Sequence, residues 1–189
     1  RAPSLVMWTD MRFGHKTLLG DEGFVPGLTR FRLDRIPAYD LRNLMINRAA
    51  LLVINDFLLD HAEEGEGIRR TILKHTAKAV IGYGDALLYL HGGYHWSYRV
   101  KRDRVAELHT ASPAFRSLYH QAATFRLQPT YPDPSLAELR LWLDGVREAL
   151  EPIHLEWTSH LLASLPSLVR GRYDVIWHET GLWGGFLLS

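Results

Sequence analysis

The chain has 189 residues, enough for one core-forming domain, or for a domain with a fragment of another. Apolar residues make up 47% and charged ones 23%, and 22 Lys+Arg against 21 Asp+Glu leave +1, which argues against disorder and against a surface built for polyanions. Cysteine is absent, which removes disulfides, cysteine-ligated zinc, iron–sulfur clusters and a cysteine nucleophile, leaving His, carboxylate, hydroxyl and Lys/Arg chemistry.

The sequence opens on Arg1 with no basic and apolar leader pattern behind it, so it reads as the C-terminal piece of something longer. The longest apolar stretch, 49–59, contains Asn55 and Asp56 and falls short of the roughly 20 residues of a spanning helix. The expectation is a soluble, cytoplasmic protein without a membrane role.

Residues 4–13 alternate, with Leu5, Met7, Thr9, Met11 and Phe13 on one face and Val6, Trp8, Asp10 and Arg12 on the other, which predicts a strand. Gly14-His15-Lys16 then reads as a hairpin turn and Thr17-Leu18-Leu19 as a short returning strand. From Pro37 the period becomes helical. Asp40 is placed to cap a helix over 41–59, and the run AEEGEG at 62–67 reads as a solvated connection.

A second helix over 68–90 starts amphipathic, with Arg69, Arg70, Lys74 and Lys78 outward, and turns almost wholly apolar from Ala79, as a central helix of a bundle would. Gly92-Gly93 breaks it. Ser97 is placed to cap a third helix carrying Tyr98, Arg99, Arg102, Arg104 and His109. Ser112-Pro113 has the cap-then-proline order of a helix start and opens a fourth to about Arg126. After Pro129, Pro132 and Pro134, Asp133 is read as the cap of a long helix towards Ser164, kinked or split at Pro152. Tyr173–Trp177 reads as strand or helix, and 183–186 as a glycine-broken apolar tail.

Asp85 is the most informative residue. A bare carboxylate within 79–90 would cost several kcal/mol by desolvation, so it requires a partner. Arg48 is the natural candidate, with Tyr94 or Tyr98 as hydrogen-bonding alternatives. Asp85 is then either a buried tie that fixes helix register or a wall of a nucleotide or catalytic pocket. Gly82 and Gly84 imitate the start of a dinucleotide fingerprint, but Leu87 stands at the third position inside a helix, so close approach by a neighbouring helix is the better reading.

The segment His91-Gly92-Gly93-Tyr94-His95-Trp96-Ser97-Tyr98 offers aromatic and imidazole faces for a base or sugar, with Arg99, Lys101, Arg102 and Arg104 behind it for phosphates. The alternative is that the aromatics plug the end of a bundle. His91 and His95 are separated by glycines, and no third ligand or H-E-x-x-H pattern is present, so no metal site is expected. No serine-hydrolase elbow and no P-loop occur. Arg104 and His109 have an R-x4-H spacing in which Arg would steady a phosphate and His serve as acid and base.

A short β unit, then Leu44-Met45-Ile46-Asn47-Arg48, Gly84-Asp85-Ala86-Leu87-Leu88, Gly93-Tyr94-His95-Trp96-Ser97-Tyr98 and Arg102, resembles the C-terminal half of bacterial nucleotidyltransferase-like proteins of the polymerase-beta type. In these a small sheet is followed by a HEPN-like helical domain, and the similarity is clearest over about residues 40–105. The resemblance implies a mainly α fold: a β-hairpin and loop over 1–36, the trailing part of a nucleotidyltransferase sheet, then a helical bundle over 37–189. It implies nucleotide or acceptor binding by Arg48, Lys78, Asp85, Tyr94, Tyr98 and Arg102.

The Gly-Ser turn and Asp-x-Asp pair that hold Mg²⁺ in such enzymes are absent from this sequence. Mg²⁺ would therefore enter only with a catalytic domain upstream, and Asp10 could at most stand for a third carboxylate. The implied partners are a nucleotide, a second copy of the chain, or a separate nucleotidyltransferase domain. A non-catalytic dimerisation or partner-binding module is the alternative, and a HEPN-type ribonuclease using Arg104 and His109 is a third reading.

Overall fold

A computed structural model describes residues 4–63 and 65–163. They form six α-helices: α1 (Val6–Gly14), α2 (Ala38–His61), α3 (Glu66–Leu90), α4 (Tyr98–Glu107), α5 (Pro113–Leu127) and α6 (Leu136–Ala163), with a single 3₁₀ turn at Leu33–Arg35. Helix α3 is the axis of the bundle, packed against α2, α4, α5 and α6. Every residue from Ala79 to Leu88 is buried. That placement explains why the amphipathic period of α3 disappears in its second half: a helix with neighbours on all sides has no polar face to keep.

The expected β-hairpin is absent. Val6–Gly14 is helix, and Thr17-Leu18-Leu19 forms no strand. Burial follows a helical period, with Leu5, Val6, Thr9 and Asp10 turned inward while Met7, Met11 and Phe13 are exposed. A two-stranded hairpin with no sheet to join is marginal in water, whereas a helix here gains a cap from elsewhere in the fold. The Val6 N–H donates to Asp40 Oδ2 at 2.8 Å, so Asp40 caps α1 and not its own helix. The Ser4 hydroxyl donates to the Arg32 carbonyl at 2.9 Å and accepts from the Arg32 N–H at 3.0 Å, closing the intervening loop into a flap.

Two other expected caps differ. Ser97 occupies the N-cap position of α4 without a side-chain cap bond. Asp133 instead pairs with Arg69 at 2.5 Å. The start of α6 is secured by a reciprocal capping box, in which the Glu138 N–H donates to Ser135 Oγ at 3.2 Å and the Ser135 N–H donates to Glu138 Oε2 at 2.8 Å. Ser112 does cap α5, accepting from the Phe115 N–H at 3.1 Å. Helix α6 runs through Pro152 without splitting.

Between α2 and α3, Asn55 is fully buried and donates to Thr76 Oγ1 at 3.0 Å and to the Ile72 carbonyl at 3.3 Å, while its own carbonyl meets His75 Nδ1 at 3.0 Å. This polar tie fixes the register of α2 against α3. No described helix is long and apolar enough to cross a membrane. The readings at 164 and beyond, including Tyr173–Trp177 and 183–186, lie outside the described residues.

Candidate functional site: a wired carboxylate beside a cationic, aromatic cleft

Asp85 has its partner, supplied by α4. Lys101 Nζ donates to Asp85 Oδ2 at 2.9 Å and to the Tyr94 hydroxyl at 3.2 Å. The Tyr94 hydroxyl in turn donates to the Asp10 carboxylate, 2.8 and 2.9 Å from its two oxygens. On the far side the Tyr119 hydroxyl lies 3.5 Å from Asp85 Oδ1. Four residues thus form a chain, Asp10–Tyr94–Lys101–Asp85, that joins α1, the loop before α4, α4 itself and α3.

The glycines of α3 make room for it. A Cβ at Gly84 would overlap the Tyr119 ring, and one at Gly82 would overlap the Arg48 side chain. Close approach is therefore their role, with α2 and α5 each sending one side chain across the α3 backbone. Arg48 makes no hydrogen bond to Asp85, but its charge is felt there. It is a more distant counter-charge, and Lys101 is the direct one.

Lys101 is only 1% exposed, which corrects its placement among residues facing phosphates. Its ammonium also sits 4.3 Å from the centroid of the Tyr94 ring and 5.2 Å from that of Tyr98. The sequence carried a signal for this: Tyr98, Lys101 and Val105 share the inward face of α4 at helical spacing. Tyr119 and Arg12 carried no comparable signal.

Burial dominates the electrostatics. It raises the Asp85 carboxyl to about 6, against the pull of Lys101 and then of Arg48 in the opposite direction, with Asp10 adding to the rise. Burial also raises Asp10, again offset by Lys101. Tyr94 is pushed up first by burial and then by the two carboxylates, so its proton stays on oxygen.

Asp10 is where the chain meets solvent. A cleft of about 510 Å³ opens between α1, the 29–34 segment and the Tyr94–Trp96 turn. Arg12 lies in its wall, donating to the Pro26 and Phe31 carbonyls at 3.1 and 3.0 Å, with no carboxylate partner among the described residues. Two of its five donors are thus engaged in protein bonds. The indole of Trp96 is 42% exposed, stacks on His95 at 5.3 Å and lies against Gly14, where a Cβ would come within 2.9 Å of it. Burial, then Arg104 and Lys101, lower the His95 imidazole, which favours its neutral form. At the rim Arg32 and Asp34 form a bidentate pair at 2.8 and 2.9 Å.

The remaining expected site residues do not converge there. Lys78 is exposed on α3, and Arg102 pairs with Asp103 at 3.0 Å. Arg104 donates to the Gly93 and Tyr94 carbonyls at 2.7 and 3.2 Å, which braces the turn that carries Tyr94. His109 lies in the turn after α4 and lines a different hollow, against Pro152 and Glu156. The structure does not bring Arg104 and His109 together.

Among the described residues no three His, Asp or Glu side chains gather as a metal set. The two carboxylates of the chain already face an ammonium and a phenol. The residues present do not fit a resident Mg²⁺. Comparison with protein-family models, with curated proteins and with solved structures returns no match.

Proposed function

We propose that the chain is the helical accessory region of a nucleotidyltransferase-like protein and that the cleft beside α1 binds its nucleotide. The observation that carries this reading is the pairing, across one cleft, of a guanidinium without a carboxylate partner among the described residues and an exposed indole: Arg12 and Trp96. Arg12 suits a phosphate oxygen. Trp96, backed by His95, offers a flat face to a base, an interaction worth about 1–3 kcal/mol. Asp10, held by Tyr94, has lone pairs left to accept from a sugar hydroxyl.

The outer surface of the same region supports an accessory role. Met7 and Phe13 of α1, with Leu18, Leu19 and Phe24 of the following loop, are at least half exposed. Apolar surface of this kind suits the docking of a catalytic sheet domain, which would bring the Mg²⁺ ligands that this chain lacks.

Calorimetric titration of the chain with ATP, without and with Mg²⁺, tests the reading. Saturable binding that Arg12→Ala and Trp96→Ala each weaken about tenfold or more is the expected result. No binding, or binding indifferent to both variants, refutes it.

A further inference from the structure

The outward face of α2 carries a seam. Tyr39, Asn43, Ile46, Ala50, Val53 and Phe57 follow one another at spacings of four, three, four, three and four, the a/d repeat by which one helix receives another. Tyr39, Val53 and Phe57 are 49%, 48% and 61% exposed, and Ala50 is exposed between them. The opposite face of α2 is already used, buried against α3 and α6. No charged residue interrupts the six positions.

We propose that this seam is a homodimer interface in which α2 of one copy packs antiparallel on α2 of a second copy. The sequence of the seam is self-complementary in that direction. Placing Tyr39 opposite Phe57 of the second copy also sets Asn43 opposite Val53 and Ile46 opposite Ala50, so every seam position finds a partner. The small Ala50 lets the axes approach where the bulkier Ile46 lies across from it.

The flanking charges select the second copy over an unrelated apolar helix. In this register Arg42 meets Asp56 of the other copy, once on each side of the two-fold axis. Arg42 is half-buried on that flank and has no carboxylate partner among the described residues. Asp56 shares one guanidinium, Arg147, with Asp144, and Arg140 pairs with Asp60 beside them, so three carboxylates there are matched by two cations. A second copy brings the Arg42 cation, on the flank of the seam, to this negative excess.

Light scattering on the full chain is expected to give a dimer mass. Phe57→Asp and Ala50→Glu should each yield monomer with unchanged helical circular dichroism, and Arg42→Asp should weaken association about tenfold. Register is read separately. The chain has no cysteine, so Asn47→Cys introduces a lone thiol beside the two-fold axis, where a short thiol cross-linker should join two copies. Tyr39→Cys should not cross-link, because antiparallel pairing sets the two thiols about 27 Å apart at 1.5 Å per residue. A monomeric chain at every concentration, a dimer that survives both Phe57→Asp and Ala50→Glu, or cross-linking through Tyr39→Cys overturns the proposal.

Discussion

Replacing Lys101 by Met removes the ammonium that Asp85 and Tyr94 share while keeping an unbranched side chain of similar length. Lys101 is 1% exposed and Asp85 8%, so water cannot take over the lost interaction. Breaking a buried pair from one side costs about 3–5 kcal/mol, a large share of the 5–15 kcal/mol that holds a typical domain together. The cost depends on pH. Near pH 7.5 the intact chain holds an ionised Asp85 against Lys101, whereas the variant must bury that charge with only the distant Arg48 as counter-charge or take up a proton. Near pH 5 Asp85 carries a proton, since even with Lys101 present its folded value is about 6, and the variant then buries a neutral acid. Urea unfolding at the two pH values is the assay: the loss should be about 3–5 kcal/mol at pH 7.5 and less than half of that at pH 5. A loss below about 1 kcal/mol at pH 7.5, or equal losses at both values, would refute the reasoning that Lys101 neutralises a desolvated Asp85.

Two buried groups should oppose each other in the pH dependence of the intact chain. Asp85 is raised from 3.8 to about 6, so its contribution to stability falls as pH rises through that window. His154 is lowered from 6.5 to about 4 by burial, so its contribution rises over nearly the same window. Each is worth about 3 kcal/mol at 1.36 per unit, and Asp85→Asn should therefore steepen the gain in stability between pH 4 and 6, which chemical denaturation at several pH values checks. Gly84→Ala forces a methyl against the fully buried Tyr119 ring; overpacking of about 1–3 kcal/mol should outweigh the helix-propensity gain of about 1 kcal/mol and lower the thermal midpoint. Gly82→Ala overlaps Arg48 at Cγ, near the root of its side chain, and should also lower the midpoint in the same measurement. Ser135→Ala removes half of the capping box of α6 and should cost about 1 kcal/mol.

The helical bundle was legible because a helix with one face to solvent keeps a hydrophobic period, and α3 loses it only where it has neighbours on all sides. The apolar second half of α3 marks it as the central helix, and Asp85 stands out there as a carboxylate that needs a partner. Which partner it takes was not legible, because Lys101 lies 16 residues away across a loop and only the bundle geometry brings it back over α3. Alternation over Leu5–Phe13 misled for a related reason. A segment this short fits two periods, and the choice was made by Asp40, 34 residues further along, which satisfies the Val6 N–H. Likewise Asp133 was read as the cap of α6, but the Ser135–Glu138 box starts that helix, leaving Asp133 to Arg69. The cleft itself was half visible. Tyr94, His95 and Trp96 announce an aromatic turn, but Arg12 and Asp10 join them only because α1 is a helix that turns both towards that loop.

The indole N–H resonances of the tryptophans, followed by two-dimensional NMR while ATP is added, test the central claim most directly. Trp96 lies in the proposed nucleotide cleft, Trp142 in the apolar hollow between α3, α5 and α6, and Trp157 in the core. The Trp96 signal should shift saturably and lose its response in Arg12→Ala, while Trp142 and Trp157 stay in place. A spectrum in which Trp96 does not move, or in which Trp142 moves instead, would contradict the account.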